Sequence, residues 1–258
     1  DTLLLAPGLR ALRESLPGLW ITVVGSAPAI DLLAHFRVAD EVIAIDRLNL
    51  FAPSETEFKL INGAQVLTFI PLGGKVGRRL IEIARPARIT SRPSRAVPPG
   101  RHMAVHLHAC LGACFSQIAK ISTAPLQYPR DARHVQTVPY GILAPGAGAE
   151  AKQAPMAVFG AAARKIERRG IQPVFIAGEV EIERGLIRHY PEAYKCFVNP
   201  DLIQLAGLLK RAEIVFANDS GPAHLAGLLG TVSTVFFSPT DPSIWRPWGP
   251  CVTIHNFK

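Results

Sequence analysis

The sequence of 258 residues lacks several features that mark whole classes of protein. It has only four cysteines, and no two of them form a C-x-x-C pair. This argues against a disulfide framework and favours a reducing compartment. No apolar run approaches the length of a membrane span, no signal peptide is visible, and there is no internal repeat or low-complexity tract. What is present, 48% hydrophobic and 19% charged residues, is typical of a globular protein with a sizeable core.

The net charge of +8 is unevenly distributed along the chain. Residues 1–140 contain 16 Lys and Arg against 10 Asp and Glu, a net of +6, whereas residues 141–258 contain 12 against 10, a net of +2. A basic N-terminal half suits an anionic partner such as a phosphorylated glycolipid or a membrane surface, and the alternative is a solubilising surface. Because no aromatic residues are interleaved with the basic ones, nucleic acid is not an expected partner.

Short apolar runs alternate with amphipathic stretches along most of the chain, which predicts parallel sheets with helices on both faces. Residues 122–137 lose this periodicity and carry Pro125 and Pro129. They therefore predict a linker between two Rossmann-like domains, residues 1–130 and 138–258. Three further predictions concern local structure: a loop over 47–57, a long helix over 101–121 and a helix over 181–189.

The stretch over residues 213–242 organises the C-terminal half. Residues 213–217 form a short β-branched and apolar run, which predicts a buried strand. The residues 218–221, Asn-Asp-Ser-Gly, break the run and suit a turn with a helix N-cap, and Pro222 suits a first helical turn. Since ligands bind at the carboxyl ends of strands in open α/β sheets, this turn predicts a ligand site. Free N–H groups of Ser220 and Gly221, with the helix dipole, would hold a phosphate.

A segment that begins in this stretch and continues to residue 250 resembles the C-terminal signature of the family 9 glycosyltransferases, which are the ADP-heptose:lipopolysaccharide heptosyltransferases and their relatives. The matching residues are NDSGPAHLAGLLG…VFFSPTDPSIWRPWGP. The resemblance implies the α/β GT-B architecture, in which two Rossmann-like domains with parallel sheets face a central cleft. It further implies an inverting, metal-independent transfer of heptose from ADP-heptose to the lipopolysaccharide inner core. The N-terminal domain would bind the acceptor and the C-terminal domain the nucleotide-sugar donor, with no cofactor besides that donor.

Several donor-binding residues follow from the resemblance. In the Asp-Ser-Gly-Pro turn, Asp219 would hold sugar hydroxyls and His224 would face the diphosphate. The glycine-rich loop APGAGAEAK, residues 144–152, would bind the diphosphate through its backbone and Lys152. The loop departs from the family pattern because Gln153 and Ala154 replace the expected Trp after the lysine, and because two small residues stand where hydroxyl residues can occur. The residues of this loop that are expected to contact phosphate are Gly146, Ala147 and Gly148.

A carboxylate at the end of the strand predicted over residues 172–177 is a candidate ribose ligand, as in other Rossmann-type sheets. The family's Gly-Gly-Pro-x-Glu pattern falls on residues 177–181 and selects Glu181, with Glu179 as the alternative. An ordinary carboxylate in a first helical turn explains either residue equally well.

Asp1 is the predicted general base. Residues 1–18 resemble the family's first helix, and Asp1 matches the aspartate of the turn before it. A carboxylate there would take the proton from the acceptor hydroxyl, and the alternative is a simple helix N-cap. Because family members carry a strand before this turn and helices after the Pro-Thr-Asp-Pro loop, we expect the chain to lack both ends.

A basic run in the N-terminal half is a candidate acceptor surface, as an alternative to a solvated face. Three of its arginines are predicted to face the acceptor: Arg88, Arg92 and Arg95. The whole run comprises Lys75, Arg78, Arg79, Arg85, Arg88, Arg92, Arg95 and Arg101.

A stripe of metal-capable residues occurs at spacings of four. Because the stripe drifts around a helix, all four side chains cannot meet one ion, and a partly buried helix face is the preferred interpretation. No metal is expected. The stripe consists of His102, His106, Cys110 and Cys114.

The resemblance places the protein in the cytoplasm, or at the cytoplasmic face of the inner membrane of a Gram-negative bacterium. Its partners would be a nucleotide-sugar donor and an anionic glycolipid acceptor, the lipopolysaccharide core. Two alternatives remain open: a non-catalytic protein that binds nucleotide sugar or glycolipid, and another GT-B enzyme such as a nucleotide-sugar epimerase.

Overall fold

The computed structural model describes residues 2–84, 89–92, 96–115, 117–128 and 138–257. The chain divides into two compact units, Asp1–Ser122 and Thr123–Lys258. In the described residues, no helix has the length and apolar character needed to cross a bilayer.

The N-terminal unit alternates helices with short strands. Strands β1 and β2 pair in parallel, and so do β3 and β4, so that the described strands form two separate pairs. Each strand spans only three or four residues, which limits every ladder to a few hydrogen bonds. The elements are α1 (Thr2–Ser15), β1 (Thr22–Gly25), α2 (Ala27–His35), β2 (Glu41–Ala44), α3 (Glu55–Gly63), β3 (Val66–Thr68), α4 (Lys75–Ile83), β4 (Ile89–Ser91) and α5 (Met103–Gly112).

Two sequence predictions in this unit are wrong. The loop predicted over 47–57 includes the start of α3, where Ser54 and Glu57 form a capping box that satisfies two backbone N–H groups. The long helix predicted over 101–121 is only α5, which ends at Gly112. A side chain at Gly112 would contact Ile118, because the chain turns back here. Ala119 then donates its N–H to Ser15 Oγ at 2.7 Å.

The C-terminal unit is built on a six-stranded parallel sheet with the order β10-β9-β8-β5-β6-β7. All residues of β5 are buried, as expected for a central strand covered on both faces. The elements are β5 (Tyr140–Ala144), α6 (Met156–Glu167), β6 (Gln172–Ala177), α7 (Glu179–Glu183), β7 (Lys195–Val198), α8 (Leu202–Arg211), β8 (Ile214–Asn218), α9 (Gly221–Leu229), β9 (Ser233–Phe237), α10 (Pro242–Trp245) and β10 (Val252–Asn256).

The helix predicted over 181–189 is also wrong. Helix α7 ends at Glu183, Gly185 has a φ of 62°, and a 3₁₀ turn follows at Leu186–His189. A left-handed backbone is accessible to glycine at little cost, and it cannot continue an α-helix. Helix α7 is therefore a short element that stays close to the end of β6.

The strand order determines where a ligand can reach the sheet. From β5 the chain builds outward through β6 and β7, then crosses to the other side of β5 and builds outward through β8, β9 and β10. The order reverses between β5 and β8, so the connections that leave their carboxyl ends run to opposite sides of this point. Open α/β sheets bind ligands at this switch point.

Candidate functional site at the carboxyl ends of β5 and β8

The loop after β5 and the turn after β8 are tied together by Asn218, the last residue of β8. Its Nδ2 donates to the carbonyl of Pro145 at 2.6 Å, and its Oδ1 accepts the N–H of Ala154 at 3.0 Å. The side chain thus holds both ends of the glycine-rich loop, and the residue is fully buried at 0% exposure. The sequence pattern marks Asn218 only as a strand breaker, because nothing local indicates partners 64 and 73 residues away.

Lys152 and Asp219 meet across this switch point. Lys152 Nζ lies 2.7 Å from Asp219 Oδ2, and the aspartate side chain is only 4% exposed. Thr240 Oγ1 donates to the same oxygen at 2.6 Å. His224 Nε2 lies 3.6 Å from the other oxygen, Oδ1, which is too long for a hydrogen bond but close enough for electrostatic attraction.

Thr240 is a second site residue that the sequence pattern does not single out. The Pro-Thr-Asp-Pro loop is part of the family resemblance, but the resemblance assigns no role to its residues. In the structure Asp241 caps α10 by accepting the N–H of Ser243 at 2.8 Å, and this places Thr240 beside Asp219. The motif therefore has a function at the site: it supplies a hydroxyl donor to the buried carboxylate.

The carboxyl of Asp219 stays ionised far into the acid range. Burial by itself would raise its pKa, but the nearby His224 and the hydrogen bonds from Lys152 and Thr240, with the lysine charge, lower the pKa to about 2. A charged carboxylate at neutral pH fixes the position of the Lys152 ammonium. It also leaves Oδ1 able to accept another hydrogen bond.

Because this pKa lies below the ordinary value of 3.8, Asp219 stabilises the fold above about pH 4, and the stabilisation is lost as the pH falls towards 2. The lowered pKa contributes about 2 kcal/mol to the free energy of unfolding at pH 7. About half of this contribution is lost at pH 3. Chemical denaturation of the protein and of Asp219→Asn should therefore show a stability difference that shrinks from pH 7 to pH 3. Asp31→Asn, at an exposed position on α2, is the control. A pH-independent difference would contradict the ionic role of Asp219.

The N-terminus of α9 opens beside this pair. Ser220 is the N-cap, and its hydroxyl donates to the carbonyl of Asn218 at 3.1 Å instead of capping the helix. Within the described residues, the N–H groups of Ser220 and Gly221 have no acceptor in the protein. A side chain at Gly221 would meet no atom within 4 Å, so a ligand can approach the backbone. These donors and the helix dipole favour an anion.

His224 lies one turn into α9, as the sequence predicts. Its Nε2 faces Asp219, while its buried Nδ1 has no hydrogen-bond partner in the part of the chain that the structure describes. A buried ring nitrogen without a partner is costly unless a ligand or water satisfies it. His224 thus belongs to the same constellation as Asp219 and Lys152.

The glycine-rich loop contacts the first turn of α7. Glu181, buried at 8% exposure, accepts the N–H of Gly178 at 2.6 Å. Its carboxylate occupies the space that a side chain at Gly146 would need, which explains why a glycine stands there. Ala147 is buried, whereas Gly148 is exposed and borders open space. The ribose role of Glu181 stays a prediction, as does that of the exposed Glu179.

The remaining predicted site residues lie in the N-terminal unit. Asp1, Arg88 and Arg95 are outside the described residues. Arg92 is exposed, directly after β4, and its guanidinium donates to the carbonyl of Ser91 at 3.0 Å. Its acceptor-facing role stays a prediction.

The stripe of metal-capable residues has structural contacts. His102 is the N-cap of α5, where its Nδ1 accepts the N–H of Ala104 at 3.0 Å. Cys110 Sγ lies 3.8 Å from His106 Nε2, and Cys114 lies beyond the end of the helix. Over the described ranges, no group of three or more His, Cys, Asp or Glu residues is close enough to hold a metal ion.

Comparison with solved structures identifies proteins of the same fold. The ADP-heptose lipopolysaccharide heptosyltransferase II of E. coli matches with a TM-score of 0.75 at 16% identity, over 98% of this chain and 86% of that chain. A family 9 glycosyl transferase of Veillonella parvula matches with a TM-score of 0.75 at 18% identity, over 99% and 82%. The E. coli heptosyltransferase WaaC with ADP matches with a TM-score of 0.72 at 14% identity, over 98% and 89%. The predicted α/β GT-B fold class is confirmed.

Sequence comparison identifies the family. None of the curated proteins compared with the chain matches it significantly. The sequence profile of glycosyltransferase family 9 (heptosyltransferase) matches residues 97–257, which is more than half of the chain and includes the whole site described above. The chain therefore belongs to glycosyltransferase family 9 and is a glycosyltransferase.

Proposed function

We propose that this glycosyltransferase transfers heptose from ADP-heptose to the inner core of lipopolysaccharide, with inversion at the anomeric carbon. The observation that carries the proposal is the Lys152–Asp219 pair at the switch point, flanked by the open N-terminus of α9. The donor and acceptor are proposed from the sequence resemblance and from similar structures whose names specify ADP-heptose, lipopolysaccharide and ADP.

Positive charge in the site would face a bound diphosphate from two directions. Lys152 Nζ is held at the carboxyl edge of the sheet by Asp219, and the N–H groups of Ser220 and Gly221 project from a helix N-terminus. As the glycosidic bond breaks, negative charge grows on the leaving diphosphate. Fixed donors aimed at that charge stabilise the transition state more than the ground state. We propose that they supply the positive charge that a metal ion supplies in other transferases, so that no metal is required.

Asp219 is suited to hold the sugar as well as the lysine. Its Oδ2 already accepts two hydrogen bonds, from Lys152 and Thr240. Among the described residues, the polar neighbour of Oδ1 is His224 Nε2, at 3.6 Å. A sugar hydroxyl donating to Oδ1 would complete the hydrogen bonding of a carboxylate that is ionised at neutral pH. The proposed arrangement thus places the sugar next to its own leaving group.

The acceptor side of the reaction is proposed from the N-terminal unit. Its excess of basic residues suits the phosphates of a lipopolysaccharide core, and Asp1 would remove the proton from the attacking hydroxyl. Among the described residues of the basic run, those that are exposed are Lys75, Arg78, Arg92 and Arg101. By contrast, Arg79 is half-buried and donates to the carbonyl of Leu50 at 2.8 Å, so we assign it a structural role.

The proposal is tested by incubating the protein with ADP-heptose and a deacylated lipopolysaccharide core acceptor, and analysing the product by mass spectrometry. We expect the acceptor mass to rise by one heptose, an anomeric configuration opposite to that of the donor, and turnover that persists in EDTA. UDP-glucose serves as the control donor. Release of sugar without an acceptor would favour another reaction such as epimerisation, and donor binding without any turnover would favour a non-catalytic binding protein.

A further inference from the structure

Arg184 joins the end of α7 to the glycine-rich loop after β5. Its NH2 donates to the carbonyl of Gly148 at 2.8 Å, and its NH1 lies 3.4 Å from the carbonyl of Ala147. The planar guanidinium therefore reaches two successive carbonyl groups of the loop. No pattern in the sequence indicates this contact, because the partners are 36 and 37 residues apart.

The contact fixes which way the loop's N–H groups point. In a trans peptide the carbonyl and the N–H point in opposite directions. Because the carbonyls of Ala147 and Gly148 face Arg184, the N–H groups of Gly148 and Ala149 point away from it. Gln153 Nε2 also donates to the carbonyl of Ala147, at 3.3 Å, and supports the same orientation.

These two N–H groups are available to a ligand. Gly148 and Ala149 are both exposed, and in the described ranges neither N–H has an acceptor in the protein. A side chain at Gly148 would meet no atom within 4 Å, so a phosphate oxygen can come close to the backbone. Since Ala147 and Gly148 have no hydroxyl group, N–H groups are the donors that this part of the loop can offer.

A second residue on the same face holds the loop beside Arg184. Glu181 lies in α7 and Arg184 is the C-cap of that helix with helical backbone angles, so the two residues, three apart, lie on one side of the turn. Glu181 packs against Gly146, while Arg184 binds the next two peptide groups. The loop is therefore restrained by α7 along residues 146–148.

We propose that Arg184 is a positioning residue for the donor diphosphate, which acts by orienting the N–H groups of Gly148 and Ala149 and does not itself touch the substrate. The inference rests on the proposed function, because it requires a diphosphate in this site. Donors that are already oriented bind an anion without the entropic cost of ordering the loop. Arg184 thus orders a phosphate loop in which Ala147 and Gly148 provide no hydroxyl side chains.

The test compares Arg184→Met and Arg184→Lys in the whole chain, with Arg169→Met as the control at an exposed arginine. Calorimetric titration should show ADP affinity about tenfold weaker in Arg184→Met. Adenosine, titrated by NMR, should bind as it does to the original protein. Arg184→Lys should recover part of the ADP affinity, because one ammonium can donate to one carbonyl but cannot span both.

NMR relaxation of the ligand-free protein provides an independent measurement. The backbone N–H order parameters of Gly148 and Ala149 should fall in Arg184→Met, because the loop loses its restraint, while those of β8 and α9 remain unchanged. Unchanged ADP affinity, equal losses for ADP and adenosine, or full recovery in Arg184→Lys would each overturn the positioning role. If the original protein binds no ADP, the proposed function fails and this inference fails with it; if it does and Arg184→Met matches it, only this inference fails.

Discussion

Replacing Lys152 with alanine is expected to lower kcat/KM by about 10³-fold. The ammonium would neutralise the diphosphate of the donor in the ground state, so its removal should weaken binding of ADP-heptose. It would stabilise the growing charge of the leaving group still more, so kcat should fall as well. Steady-state kinetics with ADP-heptose and the core acceptor separate these two effects.

A matched control distinguishes the local effect from a general loss of positive charge. Lys165→Ala removes a lysine from an exposed position near the end of α6 and should leave kcat and KM unchanged. Lys152→Arg keeps the charge but changes its geometry, so it should recover donor binding better than kcat. A Lys152→Ala variant with normal kcat and a raised KM would show that the lysine binds substrate and transition state equally, contrary to the proposed role.

The same substitution should affect the fold through Asp219. Without Lys152, the buried carboxylate keeps, among the described residues, Thr240 as a hydrogen-bond donor and His224 as a neighbour, so its pKa should rise. Removal of one partner of a buried ion pair typically costs several kcal/mol of folding stability, because the other charge is left uncompensated. The lysine side chain of this pair is 29% exposed, so the loss of stability should be closer to about 1 kcal/mol. Kinetic assays should therefore be made where denaturation curves show both proteins to be folded.

Local patterns predict much of the C-terminal unit. The strand β8, the breaking residues 218–221 and the helix α9 follow one another as periodicity and capping chemistry indicate. Two of the wrong predictions fall where one or two residues decide the outcome. Gly185 ends a helical pattern by its left-handed backbone, and the Ser54–Glu57 capping box starts a helix inside a region predicted as a loop.

The site is predictable only in part, for a different reason. Resemblance to a family selects Lys152 and Asp219, and the structure brings them within 2.7 Å. It does not select Asn218, Thr240 or Arg184, since each acts through a partner that is remote in sequence. A single sequence shows which residues are chemically capable of a contact, but the pairing depends on how the strands are ordered in the sheet.

Replacing Asp1 with asparagine is expected to reduce kcat by about 10²-fold or more while leaving donor binding intact. The proposed base would contact the proton of the acceptor hydroxyl and would have no contact with the nucleotide. Asparagine keeps the size of aspartate and most of its ability to cap a helix, but it cannot accept that proton. Kinetics with varied donor and fixed acceptor would measure both quantities.

The pH dependence of kcat provides the sharper discrimination. If Asp1 is the base, the acid limb of the kcat profile should reflect its ionisation and should be absent in the residual activity of Asp1→Asn. Asp31→Asn, at an exposed carboxylate of α2, should show an unchanged profile. A fully active Asp1→Asn enzyme would reduce Asp1 to a helix cap, and the base would then have to be another carboxylate that reaches the acceptor hydroxyl.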